Sequence, residues 1–138
     1  MKIKYDLQFI KFINLFENVT GAQVKDCFFF KEILTFVVNE GEMGKALGKK
    51  KANAMKLERM LNRKIKIVEF NPDVLQFTGN LISPLKADSI TEEEGIVTMS
   101  SNDEKTKGLL IGAKAQNLRA YEAIVQKYFE NIKELKVV

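Results

Sequence analysis

The chain contains a single cysteine and no histidine among its 138 residues. This excludes an internal disulfide, a zinc site built from cysteine and histidine, and any nucleophilic triad that depends on histidine. Cys27 lies among Val24 and Phe28–Phe30, and we expect it in a buried strand. No apolar run approaches the roughly 18 residues of a membrane span, and the first residues lack a signal-peptide pattern. We therefore expect a cytoplasmic protein without membrane contact.

The sequence also lacks a linker rich in glycine, serine or proline. Phe70–Asp73 leads directly from one predicted strand to the next predicted helix. Apolar residues make up 46% of the chain and charged residues 29%, which is ordinary for a folded protein. Together with the internal repeat described next, this predicts two folded domains, residues 1–70 and 71–138.

An internal repeat is the most informative feature that is present. Residues 42–53 read Glu-Met-Gly-Lys-Ala-Leu-Gly-Lys-Lys-Lys-Ala-Asn, and residues 106–117 read Thr-Lys-Gly-Leu-Leu-Ile-Gly-Ala-Lys-Ala-Gln-Asn. In both copies two glycines are four residues apart, and an asparagine follows the second glycine by five residues. Each copy then enters an amphipathic helix. A duplicated glycine-lysine turn between helices suits the close approach of a phosphate chain.

Hydrophobic periodicity predicts the same order of elements in both halves. In the first half we expect a helix from Tyr5 to Phe16 closed by Thr20-Gly21, strands at Val24–Phe30 and Ile33–Asn39, helices at Gly41–Leu47 and Asn53–Leu61, and a strand at Lys64–Phe70. In the second half we expect a helix at Pro72–Ile82, strands at Leu85–Ile90 and Gly95–Ser100, a helix capped by Asn102 or Asp103 and reaching Ile111, a helical stripe from Leu118 to Phe129, and a strand at Leu135–Val138. The order predicts an α+β protein.

Charge is distributed unevenly between the halves. Residues 1–70 hold 14 lysines and arginines against 8 acidic residues, whereas residues 71–138 hold 8 against 10. The first half therefore carries a net charge of +6 and the second −2. If the partner is a polyanion, we expect the first half to supply most of the long-range attraction.

Two interpretations of each turn stay open from the residues alone. Gly48–Lys51 is either a phosphate clamp at the start of a helix or a solvated charge run. In the second turn, Gly112 and Lys114 with the nearby Lys107 and Arg119 form either a second clamp or a tight turn needed only for folding.

The residues around the turns also have alternative interpretations. Gly44 and Gly108 allow either close packing or close ligand approach. Asn53 and Asn117 either contact a nucleotide or cap their helices, and we expect caps. Four apolar neighbours either line a groove or enter the core, with at least two expected in the core: Ala46, Leu47, Leu110 and Ile111.

Rival motifs fail on spacing. A Walker A loop would need glycine at Met43 and serine or threonine at Lys50, and a dinucleotide-binding fingerprint would need Gly-x-Gly. The acidic run Glu92–Glu94 lacks the spacing of metal ligands and is predicted to be a solvated turn. We expect no catalytic residues, no metal and no cofactor.

The element order and the Ile/Leu-Gly turns resemble type II KH domains. The tandem arrangement is similar to the short archaeal form of the NusA-like transcription termination factors, and the likeness spans nearly the whole chain. Gly41–Lys51 carries it best, followed by Lys107–Asn117 and Val68–Phe70. The resemblance implies two three-stranded sheets, each with helices packed on one face, and a protein that binds single-stranded RNA during transcription.

By this resemblance the ligand is nascent RNA, and RNA polymerase or its accessory factors are candidate protein partners. The candidate RNA-binding residues are Gly44, Lys45, Gly48, Lys49, Lys50, Lys51 and Asn53 in the first turn, and Lys107, Gly108, Gly112, Lys114, Asn117 and Arg119 in the second.

The chain departs from the family pattern once in each turn. The family ends the turn with a second glycine, where this sequence has Lys51 and Ala115. A Cβ there is expected to hinder the approach of a phosphate or to strain the turn. The competing hypothesis is therefore a protein-docking module in transcription or ribosome assembly whose RNA binding is weak.

Overall fold

The computed structural model describes residues Leu7–Val138 and divides the chain into two compact units, one ending at Phe70 and one beginning at Asn71. Unit 1 contains α1 (Leu7–Thr20), β1 (Val24–Phe30), β2 (Ile33–Val38), α2 (Met43–Leu47), α3 (Ala52–Leu61) and β3 (Ile65–Glu69). Unit 2 contains α4 (Val74–Ile82), β4 (Ser89–Glu93), β5 (Ile96–Ser100), α5 (Glu104–Ile111), α6 (Gln116–Tyr128) and β6 (Glu134–Val137). Tyr5, the first residue of the predicted N-terminal helix, lies outside the described residues.

Both units share one sheet topology. In unit 1 the strand order is β1-β2-β3, with β1 antiparallel and β3 parallel to β2. Unit 2 has the order β4-β5-β6 with the same directions. The parallel pair needs a crossover connection, and two helices with the glycine turn between them provide it in each unit. The predicted α+β fold with a three-stranded sheet and packed helices in each half is confirmed.

The core of unit 1 lies between its helices and the sheet. Phe16 of α1 packs on Phe36 of β2, with ring centroids 4.3 Å apart. Cys27 is buried in the same cluster, as its apolar neighbours predict. The buried members are Phe16, Ala22, Cys27, Leu34, Phe36, Val38, Ala46 and Leu57. Leu57 belongs to α3, so this helix is anchored in the core while its other faces remain available to solvent.

The connection between β1 and β2 is a two-residue hairpin. Lys31 and Glu32 both have positive φ, at 50° and 70°, and Phe30 pairs with Ile33. Two positive φ angles in succession match the twist of antiparallel strands. The two strands are therefore neighbours in the sheet.

The first strand of unit 2 is displaced from its predicted position. The apolar residues near Leu85 predicted a strand at Leu85–Ile90, but β4 begins at Ser89. Leu85 N donates to Ile82 O at 3.0 Å and closes the turn after α4. The prediction was wrong because β4 is mostly polar and exposed, so hydrophobic periodicity does not mark it.

Two further boundaries of unit 2 differ from the predictions. Glu92 and Glu93 belong to β4 rather than to a turn, and the turn is formed by Glu94 with φ 51° and Gly95. Pro72 precedes α4 instead of occupying its first turn. Asp73 is the N-cap and accepts a hydrogen bond from Leu75 N at 3.0 Å. For α5, the cap is Asp103.

Candidate nucleic-acid interface

The two glycine turns have the same backbone geometry. In the first, Gly48 has φ 75° and ψ 175°, and Lys50 and Lys51 are left-handed with φ of 54° and 63°. In the second, the corresponding angles are φ 74° and ψ 173° at Gly112, φ 55° at Lys114 and φ 60° at Ala115. The agreement shows that the sequence repeat is a repeat of structure down to single residues.

Glycine is required at the first position of each turn for two reasons. The φ and ψ of Gly48 lie in a region that is essentially restricted to glycine. In addition, a Cβ on Gly48 would lie 2.7 Å from Asn53 Cγ, and a Cβ on Gly112 would lie 2.7 Å from Asn117 Cγ. The side chain of the asparagine therefore occupies the space that the glycine leaves.

Asn53 and Asn117 hold the turns together and are not N-caps of their helices, so that prediction was wrong. Asn53 Nδ2 donates to Lys45 O at 2.9 Å, and Asn117 Nδ2 donates to Leu109 O at 2.7 Å. Each asparagine reaches back across the turn to a carbonyl of the preceding helix. In both copies of the repeat the asparagine follows the glycine by five residues. This constant spacing could have predicted the contact, because it places both residues in the same turn.

Both turns form without the second glycine of the family, and their backbone angles agree. Lys51 and Ala115 adopt the left-handed conformation that the family's glycine would adopt at little cost. For a residue with a Cβ, this conformation costs roughly 1–2 kcal/mol. The predicted strain is therefore present at both positions, and the packing of each unit holds the turn in place despite it.

The open side of each turn presents backbone donors. Lys51 N donates to Gly48 O at 3.1 Å, whereas the N–H groups of Lys49 and Lys50 donate to no acceptor within the part of the chain that the structure describes. Ala115 N likewise donates to Gly112 O at 3.2 Å. Successive N–H groups in a turn that changes to left-handed residues form a concave site for an anion.

The cations around the turns fall into two groups. Three of the predicted ligands are held in ion pairs on their own helices: Lys45 with Glu42 at 3.6 Å, Lys107 with Glu104 at 3.7 Å and Arg119 with Glu122 at 2.6 Å. Lys49, Lys50, Lys51 and Lys114 make no ion pair with any residue from Leu7 onward. Three of these four uncommitted lysines belong to unit 1, so the first turn carries more free positive charge than the second.

The other predicted residues near the turns divide between the surface and the core. A Cβ on Gly44 or Gly108 would meet nothing within 4 Å, so close packing does not explain these glycines. Their O atoms accept hydrogen bonds from Gly48 N and Gly112 N at 2.9 and 2.8 Å. Ala46 and Leu110 are fully buried, which confirms that at least two of the four apolar neighbours belong to the core.

One further pair of equivalent residues escaped the sequence analysis. Glu58 Oε2 accepts a hydrogen bond from Ile65 N at 3.1 Å, and Glu122 Oε2 accepts one from Leu135 N at 3.0 Å. Each glutamate joins the helix after the glycine turn to the beginning of the last strand of its unit. The two glutamates are 64 residues apart, as are the equivalent glycines of the two turns. This spacing could have predicted that the glutamates have equivalent roles.

The fold and the paired turns define the class of protein: two tandem type II KH-like domains, each with a glycine turn between the two crossover helices. No protein-family model matches the chain. Similar proteins are nevertheless known, and a curated relative from Methanococcus vannielii, a probable transcription termination protein NusA, is 30% identical over all of this chain and 81% of its own length. The chain belongs to this family of archaeal NusA proteins.

Other relatives and a solved structure agree with this assignment. A probable transcription termination protein NusA from Methanocaldococcus jannaschii is 26% identical over 99% of this chain and 76% of its own length. Another from Halobacterium salinarum is 29% identical over 94% of this chain and 95% of its own length. The crystal structure of APE1850 matches 97% of this chain and 100% of its own, with a TM-score of 0.70 and 26% identity. The relatives from Methanococcus vannielii, Methanocaldococcus jannaschii and Halobacterium salinarum carry the name of a termination protein rather than that of an enzyme.

Within residues 7–138, no helix is both long and apolar enough to cross a membrane. The same residues contain no group of three or more acidic, cysteine or histidine side chains arranged to hold a metal ion.

Proposed function

We propose that the protein binds single-stranded RNA through its two glycine turns and acts in transcription termination or antitermination on nascent RNA. The observation that carries this proposal is the backbone geometry that the two turns share, with unengaged N–H groups at Lys49 and Lys50 and free ammonium groups beside them. A KH turn of this kind clamps the backbone of about four nucleotides. The names of the relatives support the role in transcription.

The wider assignment follows the same proposal. Residues 1–70 and 71–138 are the two RNA-binding domains, the thirteen candidate residues of the two turns form the contact surface, and the protein works in the cytoplasm beside RNA polymerase or its accessory factors without catalysing a reaction. No observation favours the protein-docking alternative. Its premise is that a Cβ at Lys51 and Ala115 hinders the approach of a phosphate or strains the turn, and the two turns nevertheless form with matching backbone angles.

The RNA-binding role of the first turn can be tested by giving it the sequence of the second turn. Replacing Lys49 and Lys51 by alanine converts Gly-Lys-Lys-Lys into Gly-Ala-Lys-Ala, the sequence that residues 112–115 already fold in the same backbone conformation. We expect this double variant to bind all single-stranded RNAs more weakly. The slope of log K against log salt should flatten by about 0.7 for each lost phosphate contact. Mobility shifts at two salt concentrations measure both effects.

The control is Lys86→Ala with Lys136→Ala, which removes the same charge from two exposed positions of unit 2 outside the turn. We expect this control to change the affinity only slightly. An unchanged affinity and salt slope in the Lys49/Lys51 variant, or a wild-type protein that binds no single-stranded RNA, would contradict the proposed function.

A further inference from the structure

One exposed face of α3 continues from the lysine turn to the far end of the helix. Lys51, Met55, Arg59 and Arg63 follow each other at intervals of four residues and form what we call the α3 ridge. Met55 and Arg59 lie on one face of α3, because side chains four residues apart on a helix are neighbours. Lys51 is the residue that caps the start of this helix, and Arg63 follows Asn62, the residue that caps its end. Met55 is 53% exposed although it is a large apolar side chain, and Lys51 and Arg59 are exposed as well. The ridge is therefore a surface with both cationic and apolar groups.

The ridge ends in an open cleft of about 470 Å³. The residues that line the cleft are Met55, Glu58, Arg59, Asn62, Arg63 and Lys64. Three cations thus face one carboxylate, and that carboxylate is already engaged, because Glu58 Oε2 accepts a hydrogen bond from Ile65 N. The electrostatic balance of the cleft favours an anionic ligand.

The cations of the cleft are available, and one of them is held in place. The guanidinium of Arg63 lies over two aromatic rings, with Cζ 5.6 Å from the centroid of Phe12 and 5.5 Å from that of Phe29. This stacking fixes the direction of the guanidinium without neutralising it. The side chains of Arg59 and Lys64 make no hydrogen bond or ion pair with the residues that the structure describes.

Unit 2 lacks this surface although it has the same fold. The positions equivalent to Lys51, Met55, Arg59 and Arg63 are Ala115, Arg119, Ala123 and Lys127. Two of the four are alanines, and Arg119 is held by Glu122 at 2.6 Å. The ridge is consequently a property of unit 1 and not a general consequence of the fold.

We propose that the α3 ridge and its cleft extend the RNA-binding surface of unit 1 beyond the glycine turn. The RNA strand that is bound at Lys49–Lys51 continues along α3. Its phosphates contact Arg59 and Lys64, and one of its unpaired bases contacts Met55. Arg59 is eight residues from Lys51, or about 12 Å along the helix, so the second contact serves nucleotides next to those held by the turn. Positively charged grooves with aromatic side chains on which bases stack are the usual surface for single-stranded nucleic acids. In the α3 ridge the exposed apolar side chain is Met55. This proposal rests on the proposed function.

An acidic protein segment would be attracted by the same charges. The continuity of the ridge with the turn favours RNA, because one phosphate chain can occupy both, whereas an acidic segment would use only the cleft. A purely structural role is the other alternative, since cations near the C-terminus of a helix interact favourably with its dipole. In the experiment described next, a loss of binding to poly-glutamate alone would indicate the acidic segment, and an equal loss on both RNAs would indicate the structural role.

The test compares Arg59→Gln/Lys64→Gln with the wild-type protein on two single-stranded RNAs, one of about four nucleotides and one of about ten. Fluorescence anisotropy at several salt concentrations gives affinity and salt slope. We expect the variant to bind the short RNA as the wild type does and the long RNA roughly tenfold or more weakly. The salt slope on the long RNA should flatten by about 1.4, the value for two lost phosphate contacts.

The control replaces Lys86 and Lys136 by glutamine and should leave both affinities unchanged. Equal affinity of the variant and the wild type for the long RNA, or an equal loss on both RNAs, would overturn the proposal while leaving the function of the turn intact. If the variant keeps its RNA affinity but loses binding to poly-glutamate, the cleft is a docking site for acidic protein segments and the proposal is wrong. Failure of the proposed function is recognised separately, by the absence of wild-type binding to the short RNA.

Discussion

At the scale of single residues, each glycine turn is built by a glycine and an asparagine that depend on each other. Gly48 leaves room for the side chain of Asn53, and Asn53 donates its hydrogen bond to Lys45 O through that space. The same pair exists in unit 2 as Gly112 and Asn117. The asparagine therefore positions the backbone that is proposed to meet the phosphate.

A double-mutant cycle tests this dependence in unit 1. Gly48→Ala should lower the free energy of unfolding by about 3 kcal/mol, because it combines an unfavourable φ and ψ with a collision against Asn53. Asn53→Ala should cost about 1 kcal/mol through the lost hydrogen bond. Asn53→Ala also removes Cγ and Nδ2, the two side-chain atoms that would lie 2.7 Å from the added Cβ. The double variant should therefore be more stable than the sum of the two single costs predicts. Urea unfolding followed by circular dichroism measures all three variants.

Gly44→Ala is the matched control, because a Cβ at Gly44 would meet nothing within 4 Å and its φ is not positive. Alanine is the better helix former, and this variant should be up to about 1 kcal/mol more stable than the wild type. Strict additivity of Gly48→Ala and Asn53→Ala would mean that the two residues act separately.

At the scale of elements, α5 depends on its N-terminal cap. Asp103 Oδ2 accepts hydrogen bonds from Thr106 Oγ1 at 2.6 Å and from Thr106 N at 3.3 Å. The hydrogen bond from the Thr106 side chain is the main reason that the pKa of Asp103 is lower than its usual value. The cap at Asp103 fixes the residue at which α5 begins, and Gly112 caps the other end of the same helix.

The lowered pKa predicts how the stability of the cap changes with pH. A carboxylate whose pKa is lower in the folded state stabilises the protein at pH values above its unfolded pKa of about 3.9, and this contribution is lost as the pH falls through the folded pKa. Asp103→Ala should therefore lower the urea midpoint at pH 7. The difference from the wild type should shrink as the pH is taken below about 4.

Asn102→Ala, at the exposed neighbouring position, is the control and should show no such pH dependence. A difference between Asp103→Ala and the wild type that stays constant down to pH 3 would show that the charge of the cap does not stabilise α5.

At the scale of the whole molecule, the two units share a fold and differ in electrostatics. The first turn has three lysines free of ion pairs among the described residues, whereas the second has Lys114 with two alanines beside it. Unit 1 also carries the α3 ridge. The net charges of +6 and −2 agree with this difference, and the first unit is the expected site of initial RNA capture.

The difference between the units predicts opposite effects of one substitution. Lys51→Gly should weaken RNA binding, because a cation is lost while the left-handed backbone stays the same. Ala115→Gly should strengthen it, because removal of the Cβ lets a phosphate approach the N–H groups and no charge is lost. Fluorescence anisotropy on the two variants, with circular dichroism as a check on folding, measures both effects. Weaker binding by Ala115→Gly would show that the second turn serves folding only.

The sequence by itself determined the duplication, the element order, the class of fold and the place of both glycine turns. These features are local or periodic: a repeated glycine turn, a helical stripe from Leu118 to Phe129 and a spacing of 64 residues can be recognised along the chain. The charge difference between the units also follows from counting. The position of β4 did not follow, because a polar, exposed strand carries little periodic signal.

Only the tertiary structure decided what individual side chains do. It gave Asn53 a carbonyl of the preceding helix as its partner, placed Ala115 in a left-handed conformation, and paired Arg119 with Glu122. It also brought Arg63 over the rings of Phe12 and Phe29, two residues that are distant in sequence. Hydrogen bonds, ion pairs and ring contacts depend on distances between atoms in the folded chain, and those distances are fixed only when the helices pack on the sheet.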